Sequence, residues 1–156
     1  MAPHVVERAE RIATTAHAGQ VDKVGEPYIG HPRRVASRVE DWGGSSSQIA
    51  AAWLHDVLED TPITADDLAR EGIPSDVVVM VQALTTSGEE PAQRYASRVV
   101  AVPGAVLVKR ADLADNSDPV RLAKLSEATR DRLTAKYAAF AAMLEAASQT
   151  QENTPL

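Results

Sequence analysis

The chain has 156 residues, enough for one domain with a substantial apolar core. It contains no cysteine, which removes disulfides and thiolate metal sites, and its net charge of −6 disfavours non-specific nucleic-acid binding. No apolar run approaches a membrane span and no basic-then-apolar leader opens the chain, so a cytoplasmic protein with neither nucleic acid nor membrane as partner is expected, with homo-oligomers left open.

Val5, Val6, Ala9, Ile12, Ala13 and Ala16 recur at helical spacing, so a first helix is expected from Ala2 to Ala18 with Gly19 as its terminator. The stretch from His17 to His31 holds three glycines and Pro27 and reads as a loop. It carries Lys23, Tyr28 and two histidines, unusual cargo for a connection. Pro32 suits the start of a helix running to about Trp42, with Val35 and Val39 inward and His31 at its entrance. Gly43 to Ser47 breaks the chain, and a serine caps a central helix that ends at Thr61-Pro62.

Thr64 with Asp66 and Asp67 opens a short helix closed by Gly72. Val77 to Val81 would suit a strand or a buried helix, and the capping signals on both sides favour helix from Pro74 to Thr85. Ser87 to Pro91 is a loop. The next helix, Ala92 to Val102, bears Arg94, Tyr95 and Arg98 as either a solvated face or a cationic wall. Val106 to Asn116 is expected as a helix, followed by a short one capped by Asp118-Pro119. A last helix runs from Ser126 to about Ala147, with Leu133, Tyr137, Phe140 and Leu144 on one stripe. Residues 1–148 thus form one domain, and 149–156 are expected as a disordered tail. About seven or eight helices without a convincing strand make an all-α, single-domain helical bundle.

The informative stretch lies in the central helix. Leu54, Val57 and Leu58 take its apolar face, so His55, Asp56, Glu59 and Asp60 share the adjoining stripe. Spacings of three and four stack Glu59 on Asp56 and His55, and Asp60 on Asp56. Such crowding is either a solvated acidic edge or a place for a divalent cation. On the second reading His55 and Asp56 are ligands, and Glu59 and Asp60 do acid/base work beside them. Asp112 and Asn116 form a second cluster one helical turn apart. His31, His55, Asp56 and Asp112 come from three helices. Two imidazoles and two carboxylates suit Mn²⁺, with Fe²⁺, Co²⁺, Ni²⁺ or Zn²⁺ allowed by the same logic. Hydrolysis of a phosphoester or pyrophosphate fits these groups.

The ordered set His17-x-Gly-Gln20, Lys23-x-Gly-Glu-Pro-Tyr28-Ile-x-His31-Pro32, His55-Asp56-Val-x-Glu59-Asp60-Thr61 and Lys109-x-Ala-Asp112-x-x-x-Asn116 resembles the HD-domain phosphohydrolases. Within them it is similar to the hydrolase module of the stringent-response alarmone enzymes and their small stand-alone relatives. The resemblance implies Mn²⁺ held by His31, His55, Asp56 and Asp112, with Glu59 and Asp60 handling the attacking water and Asn116 at the reacting diphosphate. It implies removal of the 3′-diphosphate from guanosine 3′,5′-bis(diphosphate) and its pentaphosphate relative. Lys23, Tyr28 and Lys109 would meet substrate, His17 would support the loop, and Tyr137 is either a ribose contact or core. Asp115 is expected to be solvated or to cap.

One departure bears on the base. Where the family usually has a basic residue beside the lysine, this chain has Asp22, which either marks a lost stacking contact or reads guanine itself. An adenosine alarmone or the 2′-phosphate of NADPH therefore stands as an alternative substrate. A non-catalytic nucleotide sensor is the alternative of another class, opposed by the complete ligand set and both acids.

Overall fold

Ten helical segments follow one another in the computed structural model, which describes residues 2–152, and no strand forms among them. They are α1 (Ala2–Ala16), α2 (Gly30–Asp41), α3 (Ser46–Leu54), α4 (Val57–Asp60), α5 (Ala65–Arg70), α6 (Ser75–Leu84), α7 (Ala92–Ala101), α8 (Ala105–Asn116), α9 (Pro119–Leu122) and α10 (Glu127–Glu152). None of the described helices is long and apolar enough to cross a membrane.

The hub is α3, which packs against α1, α2, α6 and α8. Ala50, Ala51, Ala52 and Leu54 are fully buried and Trp53 nearly so, and a helix apolar on every side must be enclosed by others. Its three small alanines let neighbouring backbones approach closely. Each large side chain enclosed around them, such as Leu54, Val35 or Val108, contributes about 1.5–3 kcal/mol. The N-terminus of α3 is fixed by a capping box: Ser45 Oγ accepts the Gln48 amide, and Gln48 Oε1 accepts the Ser45 amide. Just before it, a Cβ on Gly44 would lie 2.4 Å from Val39 Cγ1, so only glycine allows the tight return from α2.

In α6 the valine run resolves at helical period, with Val77, Val78, Met80 and Val81 buried and Val79 exposed. The loop between α1 and α2 folds into a small hairpin. Val21 and Pro27 form an isolated antiparallel bridge, and the Tyr28 amide donates to the Gln20 carbonyl. Gly25, at φ +83°, supplies the left-handed turn at its tip.

Two expectations change. The central helix is not continuous: it ends at Leu54, and α4 restarts at Val57. The Ala52 carbonyl, the acceptor that an uninterrupted helix would give to the Asp56 amide, receives the His55 Nδ1 proton at 2.6 Å. A side chain thus competes with the backbone at His55 and Asp56. The tail expected from residue 149 is helical through Glu152, because adding residues to an anchored helix is cheap once it is nucleated. Residues 153–156 lie outside the described part.

Candidate metal centre

Four side chains converge from α2, the α3–α4 junction and α8. His31 Nε2 lies 3.2 Å from His55 Nε2, 3.0 Å from Asp112 Oδ1 and 3.7 Å from Asp56 Oδ2. His55 Nε2 is 3.1 Å from Asp56 Oδ2 and 3.4 Å from Asp112 Oδ1. His31, His55 and Asp112 are buried and Asp56 is half-buried. All four expected ligands are therefore brought together.

The imidazole tautomers follow from their outer contacts. His55 Nδ1 faces the Ala52 carbonyl and His31 Nδ1 faces Asp115 Oδ2 at 2.7 Å, and both partners are acceptors. Each Nδ1 must carry the proton, which turns each Nε2 lone pair inward. Two lone pairs and the Asp112 carboxylate then share one buried point with Asp56 beside them, a donor set that fits a divalent cation. Without a cation, protons must neutralise the cluster. Burial alone would lower the His55 pKa, but Asp56 and Asp112 overcome it and raise it well above its ordinary value. His31 is likewise raised, its burial being outweighed by Asp112 and Asp115.

A second group adjoins the first. Asp56, Glu59 and Asp60 each bring an oxygen within 4.8 Å of the others. Although the helix breaks, α4 starts in register with Asp56, whose carbonyl accepts the Asp60 amide, so the predicted stacking survives. Glu59 Oε1 accepts the Thr86 amide at 3.0 Å. Burial, then the charges of Asp56 and Asp60, raises the Glu59 pKa against that hydrogen bond. Burial and Asp56 raise Asp60 too. Both carboxyls are thus shifted toward proton transfer nearer neutrality.

These groups open into a cleft of about 930 Å³, also lined by Asp22, Lys23, Tyr28, Lys109, Asn116 and Tyr137. Several of them hold the centre as well as line it. Tyr28 donates to Asp56 Oδ2 at 2.5 Å, Lys109 Nζ to Asp112 Oδ2 at 2.8 Å and Asn116 Nδ2 to Asp112 Oδ1 at 3.1 Å. Lys109 also lies over the Tyr95 and Phe140 rings, so its ammonium is held on three sides. His17 supports the loop as expected: its Nδ1 meets Gln20 Oε1, and Gln20 Nε2 donates to the Asp60 carbonyl.

Of the two sequence alternatives for Asp22, the geometry sits with a missing stacking contact, since the side chain turns back onto its loop. Its Oδ1 accepts the amides of Val24 and Glu26, both at 3.0 Å, so the carboxylate is spent on shaping its own loop. Asp115 is corrected outright. It is fully buried, and neither solvated nor capping, because α8 turns it onto His31 and two arginines. Arg98 is a staple between Glu90 and the carbonyls of Gln82 and Thr85 rather than a wall of the site. The sequence reading missed Lys136 and Arg132, which crowd Lys23 and, after its partial burial, lower its pKa. Their spacing of four on the last helix was the available signal.

Comparison with known proteins places the chain among relatives. A guanosine-3′,5′-bis(diphosphate) 3′-pyrophosphohydrolase of Aquifex aeolicus is 35% identical over 119 residues, covering 71% of this chain and 17% of that protein. A GTP pyrophosphokinase of Streptomyces antibioticus is 32% identical over 127 residues, covering 76% of this chain and 15% of that protein. The chain therefore spans less than a fifth of each relative. A solved structure, described as a metazoan ortholog of SpoT that hydrolyzes ppGpp, superposes with a TM-score of 0.68 at 21% identity, covering 94% of this chain and 95% of that one. The fold is shared over nearly the whole length. A family description, the HD domain, matches residues 9–151, a span that contains every residue of the donor set, and this chain belongs to that family.

Proposed function

We propose that the protein is a Mn²⁺-dependent hydrolase that removes the 3′-diphosphate of guanosine 3′,5′-bis(diphosphate) and its pentaphosphate relative. The observation that carries this reading is the juxtaposition of the buried His31–His55–Asp112 cluster with Asp56, Glu59 and Asp60 in one cleft. The named activity of the Aquifex aeolicus relative supports it. The chemistry that a bound divalent ion supplies is activation of water and neutralisation of phosphoryl charge. Glu59 and Asp60 orient the water and take its proton as its oxygen bonds to the 3′-linked phosphorus; the bond from that phosphorus to the ribose 3′ oxygen breaks, that oxygen receives the proton, and pyrophosphate leaves. Asn116 and Lys109 steady Asp112 beside the reacting group. Lys23 and Lys136, with Arg132 close by, offer positive charge where a second phosphate group would lie.

A panel of the guanosine substrate, its adenosine counterpart and NADPH, scored by kcat/KM with Mn²⁺, tests the proposal. The guanosine substrate should lead. Because the Asp22 carboxylate is engaged within its loop, an adenosine substrate is the second reading, and its lead in the panel would replace the first. Mn²⁺-loaded protein that hydrolyses none of the three would sink both. Lys136→Ala should raise KM roughly fivefold with little change in kcat, the scale of about 1 kcal/mol for one hydrogen bond.

Cation affinity should also depend on pH. Both imidazoles are raised, so at lower pH they hold protons that an entering ion must expel. Mn²⁺ affinity should therefore strengthen as pH rises from 6 to 8, by up to about tenfold per unit for each proton displaced. Equal dissociation constants at both ends of that range would show that no proton is exchanged for the metal.

A further inference from the structure

Asp115 is fully buried, yet it is neither one of the four converging donors nor a wall of the cleft. Its Oδ2 accepts from His31 Nδ1 at 2.7 Å and from Arg121 Nη1 at 3.1 Å, and its Oδ1 accepts from Arg34 Nε at 2.8 Å. One imidazole and two guanidiniums thus meet on a single carboxylate. Asp112 and Asp115 lie one turn apart on α8, so that helix sets a carboxylate against each nitrogen of the His31 ring. The Asp115 contact at Nδ1 fixes the ring plane and leaves Nε2 facing the centre.

Arg121 carries the connection outward. Its Nη2 lies 3.5 Å from Asp22 Oδ2, and Asp22 in turn holds the Val24 and Glu26 amides of the loop that brings Lys23 and Tyr28 to the cleft. Tyr28 returns to the centre through Asp56. The path is closed, from His31 through Asp115, Arg121, Asp22 and the loop back to Asp56. A closed path of charge-assisted contacts resists displacement at any one member more than an open chain does.

We infer that Asp115 is a positioning residue for the metal centre, and that Arg121 links it to the Asp22 loop so that cation affinity and the order of the cleft loop are coupled. The inference rests on the metal-centre reading and not on the identity of the nucleotide. Outer partners of a ligating histidine commonly set affinity through ring orientation and basicity, by about 10- to 100-fold.

The test is Mn²⁺ titration followed by electron paramagnetic resonance, combined with amide hydrogen exchange of residues 21–28, on wild type, Asp115→Asn and Arg121→Gln. Asp115→Asn should weaken Mn²⁺ binding by about 10- to 100-fold and speed exchange in the loop. Arg121→Gln keeps the Asp115–His31 contact, so it should free the loop as much while weakening Mn²⁺ less. An Asp115→Asn protein that unfolds at lower temperature but binds Mn²⁺ as wild type does has lost only a structural contact, and the inference falls. It falls equally if Arg121→Gln leaves loop exchange unchanged, a measurement that stands even where the Asp115 variant does not fold. Wild-type protein that takes up no Mn²⁺ overturns the metal centre itself, an outcome distinct from a variant that matches wild type.

Discussion

Asp112→Ala should abolish turnover and bound metal together. Asp112 is the only member of the donor set that touches both imidazoles, Lys109 and Asn116 at once. Lys109, His55 and His31 overcome the effect of burial and hold its carboxyl well below the ordinary range. Removing it takes away one of the four proposed ligands and leaves the half-buried Lys109 ammonium without its nearest counter-charge. A charge stranded in this way typically costs about 3–5 kcal/mol of stability. Metal analysis, a turnover assay and a thermal melt read the three losses separately. Stoichiometric metal at a normal rate in this variant would mean that the ion sits elsewhere.

Glu59→Gln should have the opposite pattern, with metal retained and chemistry lost. The glutamine oxygen can still accept the Thr86 amide, so the side chain keeps its place while losing its capacity to take a proton. A fall in kcat of roughly 10²- to 10⁴-fold, with an unchanged Mn²⁺ dissociation constant, is the scale of general acid/base catalysis. Near-normal kcat would pass the role to Asp60, whose oxygen lies in the same cluster. Comparing the two variants separates groups that hold the ion from groups that use it.

The position of the site was legible because its strongest signals are local. Helical spacing placed Glu59 and Asp60 over Asp56, and that stacking survives although the helix carrying it is broken in two. The break was not legible, since it depends on His55 Nδ1 claiming a backbone carbonyl, a contact that competes with the helix and leaves no mark in apolar periodicity. For the same reason the sequence left Asp22 open between a lost stacking contact and a direct reading of the base. A carboxylate that folds back onto amides two and four residues ahead has the same sequence as one that faces a ligand.

By itself the sequence determined the helical class, most element boundaries and the identity of the groups able to hold a cation. These follow from periodicity, capping and residue chemistry, all of which act within a few positions along the chain. Only the tertiary structure decided that the two nitrogens of His31 face carboxylates 81 and 84 positions away, and that Asp115 is a buried partner rather than a solvated neighbour. Helical spacing fixes the direction of a side chain only relative to its own axis. Which partner it meets depends on how α2, α3 and α8 cross, and that crossing is set by the packing of Ala50, Ala51, Ala52, Val35 and Val108, residues that carry no chemistry of their own.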